Sequence, residues 1–244
     1  MSRPRVLAII PARYASTRFP GKPLALLNGK EIILHVAARA LRCKTVDDAV
    51  VATDDRRIFD AVVKGGFKAV MTRPDHVCGT DRIAEAAEKS DAEIVVNIQG
   101  DEPMIDTVSV DRAVQALLDD PALDVATLAV PITHGGEFEN PNAVKVVMDN
   151  RGNALYFSRS PIPYNRGKLE NFPRHKHLGL YVYRKTFLLK FSRMEPGTLE
   201  QAEQLEQLRI LQNGVNIRVI VTDKDSVGID TPEDLKRAEA MAHV

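Results

Sequence analysis

The chain alternates between short apolar runs and longer segments in which apolar residues recur every three or four positions. The run Val6-Leu7-Ala8-Ile9-Ile10 is of the first kind, and the segment 31–42 is of the second. Continuous apolar runs are typical of strands buried on both faces, and the longer spacing is typical of amphipathic helices. Up to residue 130 the alternation predicts a parallel sheet covered by helices. The predicted strands are 6–10, 49–53, 67–71, 94–98 and 125–130, and the predicted helices are 31–42, one capped by Asp54 or Asp55, 80–89 and 108–118.

The pattern changes after residue 135. Two short strands, 143–148 and 154–157, flank a turn that contains glycine, and they predict a β-hairpin. A Pro-rich and basic loop follows at 158–176, and then strand 177–183, helix 199–212, strand 215–221 and a helix that opens at Thr231-Pro232. We expect one compact domain in three parts, which are an α/β part (1–135), a β-rich excursion (136–184) and a return to the α/β unit (185–244).

The net charge of zero conceals an uneven distribution. The 244 residues include 33 basic and 33 acidic side chains. Residues 1–30 carry six basic side chains and no acidic one, and residues 149–186 carry eight basic and two acidic ones. Two basic segments in an acidic background favour a local anionic ligand over a general affinity for nucleic acid. Chance clustering of the charges is the alternative.

The same sequence argues against several classes of protein. No apolar run reaches the roughly 18 residues that a transmembrane helix needs. Residues 1–10 lack the architecture of a secretory signal, so we expect no membrane partner and a cytoplasmic location. Cys43 and Cys78 have neither the spacing of metal ligands nor that of a disulfide framework.

The segment after the first predicted strand concentrates positive charge. Arg13, Arg18 and Lys22 lie within ten residues, beside Gly21 and several prolines. Ligands of parallel α/β sheets bind beyond the carboxyl ends of the strands, so this loop is a candidate clamp for a polyphosphate. A solvated basic loop is the alternative. Neither G-x-G-x-x-G nor G-x-x-x-x-G-K-[ST] is present here, which argues against a nicotinamide dehydrogenase and a P-loop kinase.

Two acidic motifs are candidates for holding a metal ion beside that clamp. Asp101 follows the strand 94–98 in N-I-Q-G-D-E-P, and Asp230 precedes the last helix in G-I-D-T-P-E-D. One or two carboxylates, with phosphate oxygens and water, are the usual ligands of Mg²⁺. A turn residue for Asp101 and a helix N-cap for Asp230 are the alternatives. The segment Cys78-Gly79-Thr80-Asp81-Arg82 lies at a strand–loop–helix junction, where backbone N–H groups can meet a base or a phosphate.

These motifs, in this order, resemble those of one family. The basic loop of 10–23, the N-x-Q-G-D-E-P turn and the G-x-D-T-P-E-D-L tail are similar to those of the 3-deoxy-manno-octulosonate cytidylyltransferases, also called CMP-Kdo synthetases. The resemblance runs from about residue 5 to 240 and includes the segments 71–76, 140–147, 154–159, 177–181 and 205–209. It implies a Rossmann-like nucleotidyltransferase fold with a mostly parallel central sheet and a β-rich dimerisation excursion.

The resemblance also implies a reaction and a set of residues for it. CMP is transferred from CTP to the sugar acid Kdo, pyrophosphate is released, and the product serves lipopolysaccharide synthesis. The implied cofactor is Mg²⁺, held by Asp101 and Asp230, and Lys22 joins them as a catalytic residue. The implied nucleotide-binding residues are Ala12, Arg13, Lys22, Gly79, Thr80 and Arg82. The implied sugar-binding residues are Gln99, Arg159, His177, Tyr181, Glu206 and Gln207.

One segment departs from the family pattern, and the acceptor has alternatives. Ser-Gly-Thr-Glu-Arg is the pattern expected where this chain reads Cys-Gly-Thr-Asp-Arg at 78–82. A related branch uses 8-amino-Kdo, a CMP-sialate synthetase is a second alternative, and a non-catalytic nucleotide-binding protein is a third. The expected partners are CTP, Kdo and a second copy of the chain, because the β-rich excursion suggests a pairing surface.

Overall fold

The predicted alternation of strands and helices is present in the computed structural model, which describes residues 3–15, 18–133, 135–226 and 228–241. The strands are β1 (Val6–Ala12), β2 (Leu26–Leu27), β3 (Lys30–Glu31), β4 (Asp48–Thr53), β5 (Lys68–Met71), β6 (Ile94–Asn97), β7 (Val125–Pro131), β8 (Lys145–Met148), β9 (Ala154–Ser158), β10 (His175–Arg184) and β11 (Ile217–Val221). The helices are α1 (Ile32–Ala40), α2 (Arg56–Lys64), α3 (Gly79–Glu88), α4 (Thr107–Asp119), α5 (Gly135–Glu139), α6 (Lys185–Phe191), α7 (Thr198–Glu203), α8 (Gln207–Gln212) and α9 (Pro232–Met241). Within these ranges, none of the helices has the length and apolar character that crossing a membrane would need.

The chain divides into two compact units, and the division does not follow the order of the sequence. The first unit comprises residues 1–111 and 226–244, and the second comprises residues 112–225. The boundary at residue 111 falls inside helix α4, whereas the sequence predicts boundaries at 135 and 184. One compact domain with those boundaries stays a prediction.

The first unit is built on a parallel sheet with the strand order β6-β1-β4-β5. Its central strand β1 is apolar, and Val6, Ile9 and Ile10 have no exposed surface. Burial on both faces is typical of a continuous apolar run in a parallel sheet. Parallel pairing brings the carboxyl ends of β1 and β6 to the same edge, where the segments after Ala12 and Asn97 begin.

The second unit contains a mixed sheet. Strand β7 pairs with β11 in parallel and with β10 in antiparallel orientation, and β8 forms an antiparallel hairpin with β9. The predicted hairpin is therefore confirmed, and the predicted strand at 177–183 extends over His175–Arg184. Within the described residues, β9 pairs along one edge only, with β8.

One predicted helix is broken in the structure. The sequence predicts a single helix over 199–212, but α7 ends at Glu203, Gln204 is left-handed (φ 53°), and α8 begins at Gln207. A left-handed residue other than glycine costs roughly 1–2 kcal/mol. Arg159 stabilises the break, because its guanidinium donates to the backbone carbonyls of Glu203 and Gln204. The prediction of one continuous helix was wrong because apolar spacing does not reveal such a contact.

Candidate active site

The segment after β1 folds back so that Lys22 lies at its end. Gly21 has φ +73°, and a Cβ atom on it would lie 3.1 Å from the Tyr14 ring, so this position favours glycine. The backbone N–H of Gly21 donates to the Tyr14 carbonyl oxygen at 2.9 Å. The Arg57 guanidinium stacks 3.3 Å from the centre of the Tyr14 ring. These contacts fix the backbone at Gly21, and a 3₁₀ turn, Lys22–Leu24, follows directly.

The turn after β6 is packed tightly against β1. A Cβ atom on Gly100 would lie 2.7 Å from the Pro11 carbonyl oxygen, which leaves room for glycine alone. The backbone N–H of Ile229 donates to the Asp101 carbonyl oxygen at 2.9 Å. Because of this bond, the segment before α9 lies beside the turn after β6, and Asp230 lies close to Asp101.

Lys22 bridges the two carboxylates of the acidic motifs. Its Nζ lies 2.5 Å from Asp101 Oδ2 and 3.1 Å from Asp230 Oδ1, across sequence separations of 79 and 208 residues. Arg18 contacts the other oxygen of Asp230 at 3.0 Å. Burial acts to lower the pKa of Lys22, but the two carboxylates outweigh it, so the pKa is raised and Lys22 stays protonated.

The N-cap of α9 is Thr231, not Asp230. Thr231 Oγ1 accepts from the Asp234 N–H at 3.2 Å. The Asp234 carboxylate in return accepts from the backbone N–H groups of Thr231 and Asp230 at 2.9 and 3.1 Å. This is a reciprocal capping arrangement. The Asp230 carboxylate instead faces Lys22 and Arg18, so the N-cap interpretation of Asp230 is wrong.

A cavity of about 360 Å³ opens at this edge of the first unit. Six of the residues that the resemblance implies line the cavity, namely Ala12, Arg13, Lys22, Gln99, Asp101 and Asp230. Arg18 lines it as well, so three cations lie beside two carboxylates. Such a set suits a ligand that carries phosphates together with a metal ion.

The junction at 78–82 does not line this cavity, but Arg13 contacts the segment directly before it. Arg13 donates to the His76 carbonyl oxygen at 2.8 Å. Arg82 has no exposed surface, and its guanidinium lies 3.1 Å from the Asp54 carboxylate and donates to the Thr72 hydroxyl. Burial lowers the pKa of Arg82 in spite of the nearby Asp54 carboxylate. In this conformation Arg82 ties α3 to the segments after β4 and β5, and its contact with a nucleotide stays a prediction.

In the second unit, backbone carbonyls anchor Arg159. Its Nε donates to the Glu203 carbonyl oxygen at 2.8 Å, and its two Nη atoms donate to those of Pro141 and Gln204 at 3.0 and 3.2 Å. The Glu203 carboxylate accepts from the Ser158 hydroxyl at 2.6 Å and from the Arg159 N–H at 2.9 Å. Arg159 and Glu203 therefore join the end of β9 to the break between α7 and α8.

Lys145 supports the same end of β9. Its side chain is fully buried, and its Nζ donates to the carbonyl oxygens of Asn140 and Arg159 at 2.8 and 2.6 Å. Burial lowers the pKa of Lys145, although the Glu139 and Glu203 carboxylates oppose that effect. The backbone of Arg159 is thus held by a buried lysine as well as by Glu203.

His177 and Tyr181 lie in an aromatic cluster of the second unit. The His177 ring lies edge-on to Phe157 at 5.0 Å and 5.4 Å from the Tyr181 ring. Burial lowers the pKa of His177 to about 3, so its imidazole is neutral. Burial, and to a smaller extent the Glu206 carboxylate, raises the pKa of Tyr181. The buried Tyr181 hydroxyl has no hydrogen-bond partner among the residues described, and Gln207 is also buried.

The sequence motifs do not reveal Lys145 and Glu203, or the partner of Arg18. Arg18 belongs to the basic loop, but its pairing with Asp230 depends on the fold. The sequence does contain a signal for Lys145, which is its position inside an apolar run. A lysine buried in such a run needs a polar partner. Glu203 carries no such signal, since an acidic residue in a polar stretch of helix is normally solvated.

The known proteins that this chain resembles are cytidylyltransferases. The chain matches the family model described as Cytidylyltransferase over residues 7–217. It is 51% identical to a 3-deoxy-manno-octulosonate cytidylyltransferase of Pelobacter propionicus, over 96% of this chain and 95% of that protein. It is 50% identical to one of Syntrophotalea carbinolica, over 96% of this chain and 97% of that protein. Its structure is similar to that of a CMP:2-keto-3-deoxy-manno-octonic acid synthetase complexed with CTP, with a TM-score of 0.94, 47% identity and coverage of 98% of both chains.

Proposed function

The chain belongs to the 3-deoxy-manno-octulosonate cytidylyltransferase family, and we propose that it transfers CMP from CTP to 3-deoxy-D-manno-octulosonate (Kdo). It is a CTP-dependent nucleotidyltransferase, and its products are pyrophosphate and CMP-Kdo, the latter for lipopolysaccharide synthesis. The observation in the fold that best supports this function is the position of Lys22 between Asp101 and Asp230. Cations for a triphosphate and carboxylates for a metal ion meet there, at the carboxyl edge of a parallel sheet.

The reaction is an in-line nucleotidyl transfer. The anomeric hydroxyl oxygen of Kdo forms a bond to the α-phosphorus of CTP, and the bond from that phosphorus to the pyrophosphate oxygen breaks. Lys22 and Arg13 bind the phosphates and stabilise the charge that develops on the leaving pyrophosphate. We assign no side chain as a base, so the hydroxyl proton passes to solvent. Positioning and charge stabilisation dominate transfers of this kind.

The residues present fit Mg²⁺ as the cofactor. Among the residues that the structure describes, no group of three or more His, Cys, Asp or Glu side chains is placed to hold a metal ion. Asp101 and Asp230 supply two carboxylates, and Mg²⁺ commonly takes one or two together with phosphate oxygens and water. When bound, the ion neutralises charge at the α-phosphate and lowers the pKa of the attacking hydroxyl.

For the acceptor, we propose that Arg159 pairs with the Kdo carboxylate, the geometry to which a guanidinium is suited. Each Nη atom of Arg159 carries a second hydrogen beyond its bond to a carbonyl. The Tyr181 hydroxyl supports a role in binding, because a buried hydroxyl without a protein partner is satisfied by a ligand hydroxyl. The remaining polar contacts to the sugar acid are proposed for Gln99, His177, Glu206 and Gln207. Ala12, Gly79, Thr80 and Arg82 are proposed to contact the nucleotide.

A pyrophosphate-release assay with CTP and a panel of sugar acids tests this function. Release is expected with Kdo, with kcat/KM at least about tenfold lower for 8-amino-Kdo and for sialic acid. UTP in place of CTP is the control for the nucleotide. Release with sialic acid but not with Kdo would show that the acceptor is wrong. Tight CTP binding without release for any acceptor would show that the chain is not an enzyme of this kind.

We further propose a homodimer and a cytoplasmic location. Leu155 on β9 is 62% exposed, and Tyr164 and Leu169 of the same excursion are 88% and 63% exposed. Exposed apolar side chains in one excursion favour pairing with another chain. Light scattering at micromolar concentration is expected to give twice the chain mass of 27.0 kDa, and a monomer mass would contradict the proposal. Cys43 and Cys78 form no disulfide within the described residues, which supports the location because disulfides are rare in that compartment.

A further inference from the structure

Lys22 fills the space that a metal ion between Asp101 and Asp230 would need. Its Nζ lies 2.5 Å from one carboxylate and 3.1 Å from the other. A divalent cation that binds the facing oxygens must displace the ammonium, because two cations at contact distance of the same oxygens repel each other. The Lys22 side chain is 13% exposed, against 28% for Asp101 and 43% for Asp230, so the ammonium is the most enclosed member of the cluster.

The side chain of Lys22 can leave this position while its backbone stays in place. The backbone N–H of Lys22 donates to the Phe19 carbonyl oxygen at 3.1 Å, and its carbonyl oxygen accepts from Ala25 at 3.0 Å. The four-carbon stem of lysine is flexible, and its ammonium rotates freely among partners. A triphosphate bound in the same cavity gives the ammonium a second anionic partner.

We propose that Lys22 is an internal substitute for the metal ion, holding Asp101 and Asp230 together in the nucleotide-free enzyme until nucleotide phosphates draw it away and a divalent cation enters. The inference rests on the proposed function, which assigns these two carboxylates to the metal. Without a cation between them the facing carboxylate oxygens would repel each other, and the exchange keeps a cation there before and after the metal binds, with Arg18 on the outer oxygen of Asp230. Metal therefore binds the nucleotide-free enzyme weakly, and nucleotide and metal bind cooperatively.

A Mn²⁺ titration of the CTP-free enzyme, with free Mn²⁺ followed by electron paramagnetic resonance, tests the exchange. In Lys22→Met the carboxylates lose the cation that lies between them, while Arg18 stays on the other oxygen of Asp230. If the ammonium occupies them about nine-tenths of the time, the apparent Kd for Mn²⁺ falls about tenfold in this variant. Lys22→Gln, measured in parallel, gives the same comparison if the Met variant folds poorly.

Arg13→Met is the matched control for the loss of a positive charge. Arg13 lines the same cavity but donates to the backbone carbonyls of His76 and Val77, not to the two carboxylates. Its Kd for Mn²⁺ is expected to stay within about twofold of wild type, because a charge that makes no direct contact is screened by salt. An equal tightening in Arg13→Met and Lys22→Met would mean that the general field, and not the exchange, controls metal binding.

Asp101→Asn, introduced into wild type and into Lys22→Met, tests whether Mn²⁺ binds at Asp101 at all. It therefore distinguishes a failure of the proposed exchange from a failure of the proposed metal site. Weaker Mn²⁺ binding in both backgrounds, together with the tightening in Lys22→Met, supports the proposal. Equal Kd values for wild type and Lys22→Met, both weakened by Asp101→Asn, would overturn the exchange and leave the metal site standing. Binding that is insensitive to Asp101→Asn in every variant would overturn the metal site, and the exchange with it.

Discussion

The Lys22 cluster (Lys22, Asp101 and Asp230) and the Arg159 cluster (Arg159 and Glu203) hold their cations in opposite ways. In the first unit, Lys22 contacts the side-chain carboxylates of Asp101 and Asp230, and all three side chains are partly accessible to solvent. In the second unit, the Arg159 guanidinium donates to three backbone carbonyl oxygens, and Glu203 holds the Arg159 backbone.

The difference separates a cluster that can exchange its partners from one that fixes geometry. The side chains of Lys22, Asp101 and Asp230 all line the cavity, so phosphates and a metal ion that bind there can replace their partners. Bonds from a guanidinium to backbone carbonyls cannot be exchanged in this way, because the carbonyls belong to the fold. The first cluster therefore suits the binding of phosphates and metal, and the second suits the placing of an acceptor group.

The largest effect is expected from removing a carboxylate of the Lys22 cluster. Asp101→Asn and Asp230→Asn should each lower kcat by about 100-fold or more at saturating Mg²⁺, because charge at the reacting phosphate is no longer neutralised. Steady-state pyrophosphate release measures this. Glu102→Gln is the neighbouring control, since the Glu102 carboxylate accepts from the Ser226 hydroxyl at 2.7 Å. Near-normal turnover in either Asp variant would remove that residue from the metal site.

A change in the Arg159 cluster is expected to have a smaller effect, limited to the KM for one substrate. Glu203→Gln should raise the KM for Kdo about tenfold and leave the KM for CTP nearly unchanged, because the weakened bonds to Ser158 and Arg159 loosen the guanidinium. Glu203 is thus a positioning residue, and the split between the two KM values distinguishes this role from general destabilisation. Glu200→Gln on the same helix is the control, since Glu200 pairs with Arg209 at 2.5 Å. Equal increases of both KM values in Glu203→Gln would refute the positioning role.

The smallest effect concerns stability and its dependence on pH in the second unit. The pKa of His177 is lowered by burial from 6.5 to about 3, so the unfolded chain binds a proton at a higher pH than the folded one. The contribution of neutral His177 to the free energy of unfolding is fully present above about pH 6.5. It decreases as the pH falls toward about 3, by up to about 1.4 kcal/mol per pH unit. His177→Gln should lack this component, so that wild type loses about 2 kcal/mol more than the variant between pH 7.5 and 5.

Urea unfolding at the two pH values measures this difference. His175→Gln on the same strand is the comparison: burial lowers the pKa of His175 as well, so its replacement should remove a component of the same sign, and the double variant should remove both. Parallel pH profiles for wild type and His177→Gln would show that His177 protonates without penalty in the folded protein.

Much of the fold follows from local pattern. The apolar run at 6–10 predicts the central strand β1, and the Gly-containing turn at 149–152 predicts the β8–β9 hairpin, because strand burial and turn conformation depend on neighbouring residues. Helix α6 and the short β2–β3 pair were not predicted. The prediction of a continuous helix over 199–212 was wrong for a different reason. Arg159, more than forty residues away in the sequence, contacts the break between α7 and α8, and local pattern does not show such a contact.

The sequence by itself determined the β–α alternation, the basic loop and the two acidic motifs, because each of these is a local property of consecutive residues. Only the tertiary structure decided that Lys22 lies between Asp101 and Asp230, that Thr231 caps α9, and that Glu203 holds Arg159. Parallel pairing places strand ends side by side whatever their distance in the chain, and the backbone bond from Ile229 to Asp101 joins the segments that carry the two carboxylates. Periodicity shows which residues are buried, whereas the partners of buried and half-buried charges depend on which segments the fold brings together.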